Sequence, residues 1–196
     1  HGLVNGVLGA LWAGAKLRFL DTFSPPDVWN ELADRRCSVF YAVPTIYHQL
    51  AEAWEKEDLD TQRRWADGAG KLRLAASGSA ALPARLWERW RKISGQALLE
   101  RYGMTEIGMA ISNPYRGERR PGTVGQPLPG MRVRVVTDTG EDAPDGVPGE
   151  IRVRGPSIFK EYWNKPDATQ ASFRDGYFLT GDVAELQNGY LCIRGR

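Results

Sequence analysis

The chain has 196 residues, 42% hydrophobic and 26% charged, with a formal net charge of +2. This length can bury one good core, or one core with a smaller one appended, and the composition is ordinary for a soluble globular protein. Basic and acidic residues alternate along the chain, which gives no electrostatic reason to expect nucleic acid, and no apolar run reaches the length of a membrane span.

Residues 3–15 are apolar but short, and they lack a basic leader. Leu17-Arg18-Phe19-Leu20 reads as a strand. Ser24-Pro25-Pro26-Asp27 then starts a helix, with Ser24 as N-cap and Pro25 at the first helical position, and Val28, Trp29 and Leu32 follow. The run 38–43 is the next strand. Pro44 opens a helix whose apolar positions Ile46, Tyr47, Leu50, Ala51 and Trp54 recur at helical spacing. His48 belongs to this helix. The polar stretch 55–70 is expected to face solvent.

A strand over 71–76 leads into the loop Ser77-Gly78-Ser79-Ala80. Pro83 starts a helix carrying Leu86, Trp87, Trp90 and Ile93 on one side, and Gly95 ends it. Gln96-Ala97-Leu98-Leu99 is the fourth strand, stopping in a glycine turn at Glu100-Arg101-Tyr102-Gly103-Met104-Thr105-Glu106. Alternating strands and helices imply a parallel, doubly wound sheet with helices on both faces, whose ligands gather outside the carboxyl ends of the strands.

From about Pro121 proline and glycine become frequent and short alternating runs appear, Met131-Arg132-Val133-Arg134-Val135-Val136 and Glu150-Ile151-Arg152-Val153-Arg154. Asn188-Gly189 marks a hairpin between 183–186 and 190–193. The second part is therefore expected to be all-β, with the boundary between Pro114 and Pro129. Arg116-Gly117-Glu118-Arg119-Arg120 is expected to be a solvated loop. Cys37 and Cys192 read as small buried hydrophobes, which fits a reducing compartment. The Trp-rich helices, with Trp29, Trp54, Trp87 and Trp90, are expected to pack the core.

On chemistry alone, the 100–106 segment offers a flat aromatic face for a heterocycle in Tyr102, a hydroxyl for an anion in Thr105, and in Glu106 an oxygen ligand suited to magnesium. Gly103 lets the backbone come close to a ligand. Together these suggest a nucleotide; a merely polar strand-end turn is the alternative. In Tyr177-Phe178-Leu179-Thr180-Gly181-Asp182, a carboxylate follows a glycine at the start of a strand and could accept ribose hydroxyls, although Gly-Asp is also common turn chemistry.

Five ordered segments are similar to the motifs of adenylate-forming enzymes, the superfamily of acyl-CoA synthetases, adenylation domains and luciferases. They are Arg101-Tyr102-Gly103-Met104-Thr105-Glu106, Gly149-Glu150-Ile151-Arg152-Val153-Arg154-Gly155, Tyr162-Trp163-Asn164-Lys165-Pro166, Asp175-Gly176-Tyr177-Phe178-Leu179-Thr180-Gly181-Asp182 and Gly195-Arg196. Within it, His1-Gly2-Leu3, Val43-Pro44-Thr45-Ile46-Tyr47, Ser77-Gly78-Ser79-Ala80-Ala81-Leu82-Pro83 and the 100–106 segment most resemble malonyl-CoA synthetases.

The resemblance implies an α/β domain with a largely parallel sheet over 1–120, then a small all-β subdomain, a distorted barrel, over 121–196. It implies a two-step reaction in which a carboxylate attacks the α-phosphorus of MgATP and the thiol of coenzyme A then displaces AMP. Tyr102 would lie against the adenine, with Ser79, Ala80 and Gly103 on the nucleotide side. Thr105 would hold the α-phosphate and Glu106 the magnesium ion, these two being the catalytic pair. Asp182 and Arg196 would take the ribose. Arg101 would pair with the unreacted carboxylate of malonate, a bidentate task for a guanidinium, helped by His1 and Met104 in the acyl pocket. For Arg101 a structural ion pair, such as one to Glu100, is the competing role.

The resemblance further implies a phosphate loop with its lysine upstream and a hinge and mobile C-terminal domain downstream, so the isolated 196 residues are expected to be inactive. The alternatives are another acyl-CoA ligase, a peptide-synthetase adenylation domain, or a non-catalytic nucleotide-binding relative. The expected compartment is the cytoplasm, or the mitochondrial matrix of a eukaryote.

Overall fold

The computed structural model describes residues 2–196, so His1 lies outside the described residues. Contacts divide the chain into two compact units, His1–Leu99 and Glu100–Arg196.

The first unit begins with a π-helical segment, Gly2–Leu8, and a single turn of helix, α1 (Gly9–Trp12). Helix α2 (Pro25–Ala33) starts as its sequence dictates: Ser24 is extended and its hydroxyl accepts from Asp27 N–H at 3.5 Å. Strand β1 (Val39–Ala42) runs into α3 (Pro44–Glu55), and α4 (Leu59–Gly70) precedes β2 (Leu74–Ser77). Helix α5 (Ala84–Ser94) ends at Gly95, whose φ of 72° is the left-handed conformation that glycine adopts without penalty. Strands β1 and β2 pair in parallel, Val39 opposite Leu74 through Ala42 opposite Ser77.

The core of this unit is a file of aromatic rings, one from each of four helices. Trp29 of α2 stacks on Trp65 of α4 (5.6 Å) and on Trp90 of α5 (5.4 Å), and Tyr47 of α3 meets Trp90 edge-on at 4.8 Å. Two of the buried polar handles bond to backbone, Trp29 Nε1 donating to Leu50 O at 2.8 Å and Tyr47 Oη to Ala76 O at 3.1 Å, whereas Trp90 Nε1 is buried without a hydrogen-bond partner among the described residues.

Two expectations fail here. Residues 17–20 form no strand: Phe19 and Leu20 are exposed, and among the described residues no ladder includes them. An apolar run becomes a strand only when a neighbouring backbone takes its hydrogen bonds. The stretch 55–70 is also not simply solvent-facing, because most of it is α4, with Trp65, Gly68 and Ala69 buried. Its start was legible in Asp58, whose carboxylate accepts from Asp60 N–H and Thr61 N–H.

The second unit is antiparallel throughout. Strand β3 (Leu99–Met104) pairs with β4 (Gly108–Ser112), and β4 with β5 (Gln126–Pro127). A second sheet has the order β10-β9-β7-β6, from β6 (Arg132–Val136), β7 (Gly149–Arg154), β9 (Tyr177–Gln187) and β10 (Tyr190–Gly195), with β8 (Phe173–Arg174) added to β9. One short helix, α6 (Pro166–Ala171), interrupts the β structure. Asn188 and Gly189 both have positive φ, 49° and 80°, as a tight hairpin turn requires. The basic run is not merely solvated, since the Arg119 guanidinium donates to Pro114 O and Tyr115 O and that of Arg120 lies 4.0 Å from the Tyr190 ring centroid. Among the described residues no helix is long and apolar enough to cross a membrane.

Gly68 sits where α4 crosses α2, and a β-carbon there would fall on the α2 backbone, 2.7 Å from Ala33 N. Gly68→Ala should therefore destabilise the protein by about 1–3 kcal/mol despite alanine's better helix propensity. Urea unfolding checks this, and a raised midpoint would show that the two helices can separate without loss.

Candidate active site

The polar motif 100–106 does not stop a strand, as the sequence suggested. Glu100 through Met104 are part of β3, and only 105–107 turn, returning the chain directly into β4. The register shifts between Tyr102 and Gly103, so the strand is bulged where Gly103 faces Met109. Gly103 is required by the protein's own backbone here, because a β-carbon would overlap the carbonyl oxygen of Gly108. This hairpin leaves Thr105 exposed and Glu106 half-buried at its tip.

On β3, successive side chains project to opposite faces, which sends Arg101 and Tyr102 in different directions. Tyr102 packs partly against the core of its unit, and its hydroxyl donates to Asp182 Oδ2 at 2.7 Å. The Arg196 guanidinium lies 3.3 Å from Asp182 Oδ1, so two residues from separate motifs converge on the carboxylate of a third. Asp182 is itself placed by β9: the buried Thr180 hydroxyl donates to Ile151 O at 2.7 Å and accepts from Asp182 N–H at 3.1 Å. Burial, and then the hydrogen bond to Asp182, pushes the Tyr102 phenol well above its ordinary value of 10.0.

Glu106 is held from residues 157–162, a contribution that the sequence reading missed. Phe159 N–H donates to Glu106 O at 2.7 Å, Ser157 Oγ to Ile107 O at 2.6 Å, and Tyr162 Oη to Glu106 Oε1 at 3.1 Å. Tyr162-Trp163-Asn164-Lys165-Pro166 was visible as a motif, but nothing in its spacing says that its tyrosine reaches a glutamate 56 positions earlier.

The remaining candidates are Ser79, Ala80, Arg101, Met104 and His1. Ser79 and Ala80 are exposed in the first unit, in the loop after β2, where Ser79 holds a left-handed φ of 67°. A serine held there is strained unless its surroundings fix it. Arg101 is half-buried opposite Ser112, and Met104 packs on the second unit's core. His1 lies outside the described residues. His48 is a surface residue of α3, with Nε2 3.3 Å from Glu52 Oε1. Among the described residues no three His, Cys, Asp or Glu side chains group as a metal cage, and magnesium needs none when phosphate oxygens supply its other ligands.

Because folding raises the Tyr102 pKa, its contribution to stability is complete below about pH 10 and is lost as pH rises beyond that value. Tyr102→Phe should cost about 1–2 kcal/mol at pH 7, where the phenol donates to a carboxylate. The gap from wild type should narrow above about pH 10. Denaturant unfolding across pH 7–11.5 (roughly, spanning the phenol titration) tests this, and a constant gap would refute it.

Comparison with known proteins agrees with this geometry. The family described as "AMP-binding enzyme" matches residues 1–163. A malonate–CoA ligase of Arabidopsis thaliana is 45% identical over 208 residues, covering 100% of this chain and 34% of that protein. A mitochondrial malonate–CoA ligase of Homo sapiens is 43% identical over 224 residues, covering 100% of this chain and 39% of its own. A solved malonyl-CoA ligase, in a ternary product complex with methylmalonyl-CoA and AMP, superposes with a TM-score of 0.89 at 43% identity, covering 100% of this chain and 41% of that one. ATP-bound MatB from Rhodopseudomonas palustris gives 0.88 at 41% identity, covering 100% and 38%. The chain thus spans 34–41% of the length of these relatives. With the family matched over most of its length and its site motifs gathered around Asp182 and Glu106, the chain belongs to the AMP-binding enzyme family, the adenylate-forming enzymes.

Proposed function

We propose that the whole protein containing this chain is an ATP-dependent carboxylic acid–CoA ligase that activates malonate as its acyl-adenylate and transfers the malonyl group to coenzyme A. The observation that carries the nucleotide half is the convergence of Tyr102 and Arg196 on the carboxylate of Asp182. An ionised carboxylate has about four lone-pair sites. The phenol and the guanidinium occupy two, which leaves acceptor capacity for the two ribose hydroxyls of a nucleotide. The buried phenol keeps its proton, so Asp182 stays an acceptor with a fixed orientation.

At the hairpin tip, Thr105 is free to donate to a phosphate oxygen, and Glu106 is the carboxylate suited to magnesium. Bound magnesium would neutralise phosphate charge during attack on the α-phosphorus. The fit is supported by the donor set, a hard oxygen ligand beside an exposed hydroxyl. Gly103 is proposed as a further nucleotide contact of this unit, and Ser79 and Ala80 as nucleotide-binding residues of the first unit.

The choice of malonate rests on Arg101, on the other face of β3 from Tyr102, with Met104 and His1 assigned to the acyl side. A dicarboxylate keeps one charge beside the reacting centre, and a guanidinium can hold it with two directed hydrogen bonds. The similarity to malonate–CoA ligases of a plant and a mammal supports this substrate over an aliphatic acid. Another acyl-CoA ligase remains the second reading, because a fungal CoA ligase is 36% identical and a long-chain-fatty-acid–CoA ligase of Escherichia coli 33%. The mitochondrial relatives make the matrix of a eukaryotic cell the compartment to compare with the cytoplasm.

A carboxylate panel on the full-length protein separates these readings: malonate should be turned over fastest, then methylmalonate, with acetate and a medium-chain fatty acid far behind. Arg101→Ala should lower kcat/KM for malonate at least ~30-fold, the cost of leaving a desolvated charge unpaired, and change the value for acetate little. Faster turnover of acetate than malonate by wild type, or malonate turnover indifferent to Arg101→Ala, would exclude the dicarboxylate reading.

A further inference from the structure

The side-chain hydrogen bond that Glu106 receives comes from Tyr162, whose hydroxyl lies 3.1 Å from Oε1. Tyr162 is itself held firmly. Its backbone N–H donates to Thr169 Oγ1 at 2.9 Å, that hydroxyl donates to Lys165 O at 2.9 Å, and Lys165 N–H closes back on Tyr162 O at 3.1 Å. Its ring meets Phe159 at 4.6 Å between centroids, inside a cluster with Phe173 and Phe178. The phenol thus reaches the glutamate from a separate segment, held by its backbone bonds and its ring contact with Phe159.

The backbone of the turn is secured without it, through Phe159 N–H and Ser157 Oγ. The hydroxyl of Tyr162 therefore contributes something the backbone bonds do not, which is control over the rotation of the carboxylate. An unheld glutamate at a turn tip samples several rotamers, and binding a cation would have to order it. With Oε1 engaged, the lone pairs of Oε2 remain available.

We propose that Tyr162 is a positioning residue for Glu106, its hydroxyl holding Oε1 so that Oε2 is presented to the divalent cation accompanying the nucleotide. The proposal rests on the reading of Glu106 as the magnesium-binding carboxylate. Partners that orient a metal-binding carboxylate from behind typically change metal affinity by about 10-fold or more when removed.

The test uses the full-length protein as wild type, Tyr162→Phe and Glu106→Gln. Manganese(II) is titrated onto each in the presence of α,β-methylene-ATP and followed by electron paramagnetic resonance, and affinity for the same nucleotide without metal is measured by calorimetry. Tyr162→Phe keeps the ring against Phe159, so its thermal melt should match wild type. The expected result is a ~10-fold weaker manganese affinity for Tyr162→Phe with metal-free nucleotide affinity unchanged, and a larger loss for Glu106→Gln. Wild-type manganese affinity in Tyr162→Phe, alongside a loss in Glu106→Gln, overturns the positioning role and leaves the Glu106 assignment standing. No loss in either variant overturns both. An equal fall of metal-free nucleotide affinity in Tyr162→Phe would mark a general structural brace and overturn the proposal as well.

Discussion

The hairpin of β3 and β4 closes only because Gly103 has no side chain: its α-carbon lies against the Gly108 carbonyl, where any β-carbon would overlap. Most of the candidate site depends on that approach. It reverses the chain within residues 105–107 and so sets Thr105 and Glu106 at a tip. It also fixes the bulge after Tyr102, and hence the side from which the phenol reaches Asp182. A larger residue at 103 would separate the strands and move all of these groups together.

The two units solve the problem of burying polar atoms in different ways. In the first, indoles and a phenol line up in the core, and Trp29, Trp87 and Tyr47 donate to the backbone carbonyls of Leu50, Leu98 and Ala76. Those bonds tie helices to one another and to β2, so packing and register are specified by the same side chains. In the second unit, the core is mostly aliphatic, and buried polar side chains bond to backbone, Asn113 to Glu100 O and Thr123 O and Thr180 to Ile151 O. Thr180 shows how economical this is, since one buried hydroxyl both anchors β9 to Ile151 and orients the amide of Asp182.

Charge at the site is arranged around carboxylates that are held but not consumed. Asp182 receives a phenol and a guanidinium, and Glu106 receives a phenol, each leaving acceptor sites for further donors or a cation. Both phenols are neutral donors, Tyr102 to Asp182 and Tyr162 to Glu106. At Glu106 a neutral donor suits this purpose, because it orients the carboxylate without cancelling the negative charge that a cation must meet.

Features set by neighbouring residues were legible in the sequence alone: the Ser24-Pro25 start of α2, the Gly95 end of α5, the Asn188-Gly189 hairpin, and the short motifs containing Tyr102, Glu106 and Asp182. These depend on backbone dihedrals and side-chain chemistry within a few positions, which the residue types dictate. Other features waited on the tertiary structure. Residues 17–20 look like a strand but lack a partner among the described residues, whereas Trp65, in a polar stretch, is buried because Trp29 lies beside it to stack on. That Tyr162 reaches Glu106, and that Tyr102 and Arg196 meet at Asp182, depends on strand pairings and loop closures across many tens of residues. Such contacts are decided by which backbone surfaces pack together, and no local pattern encodes that.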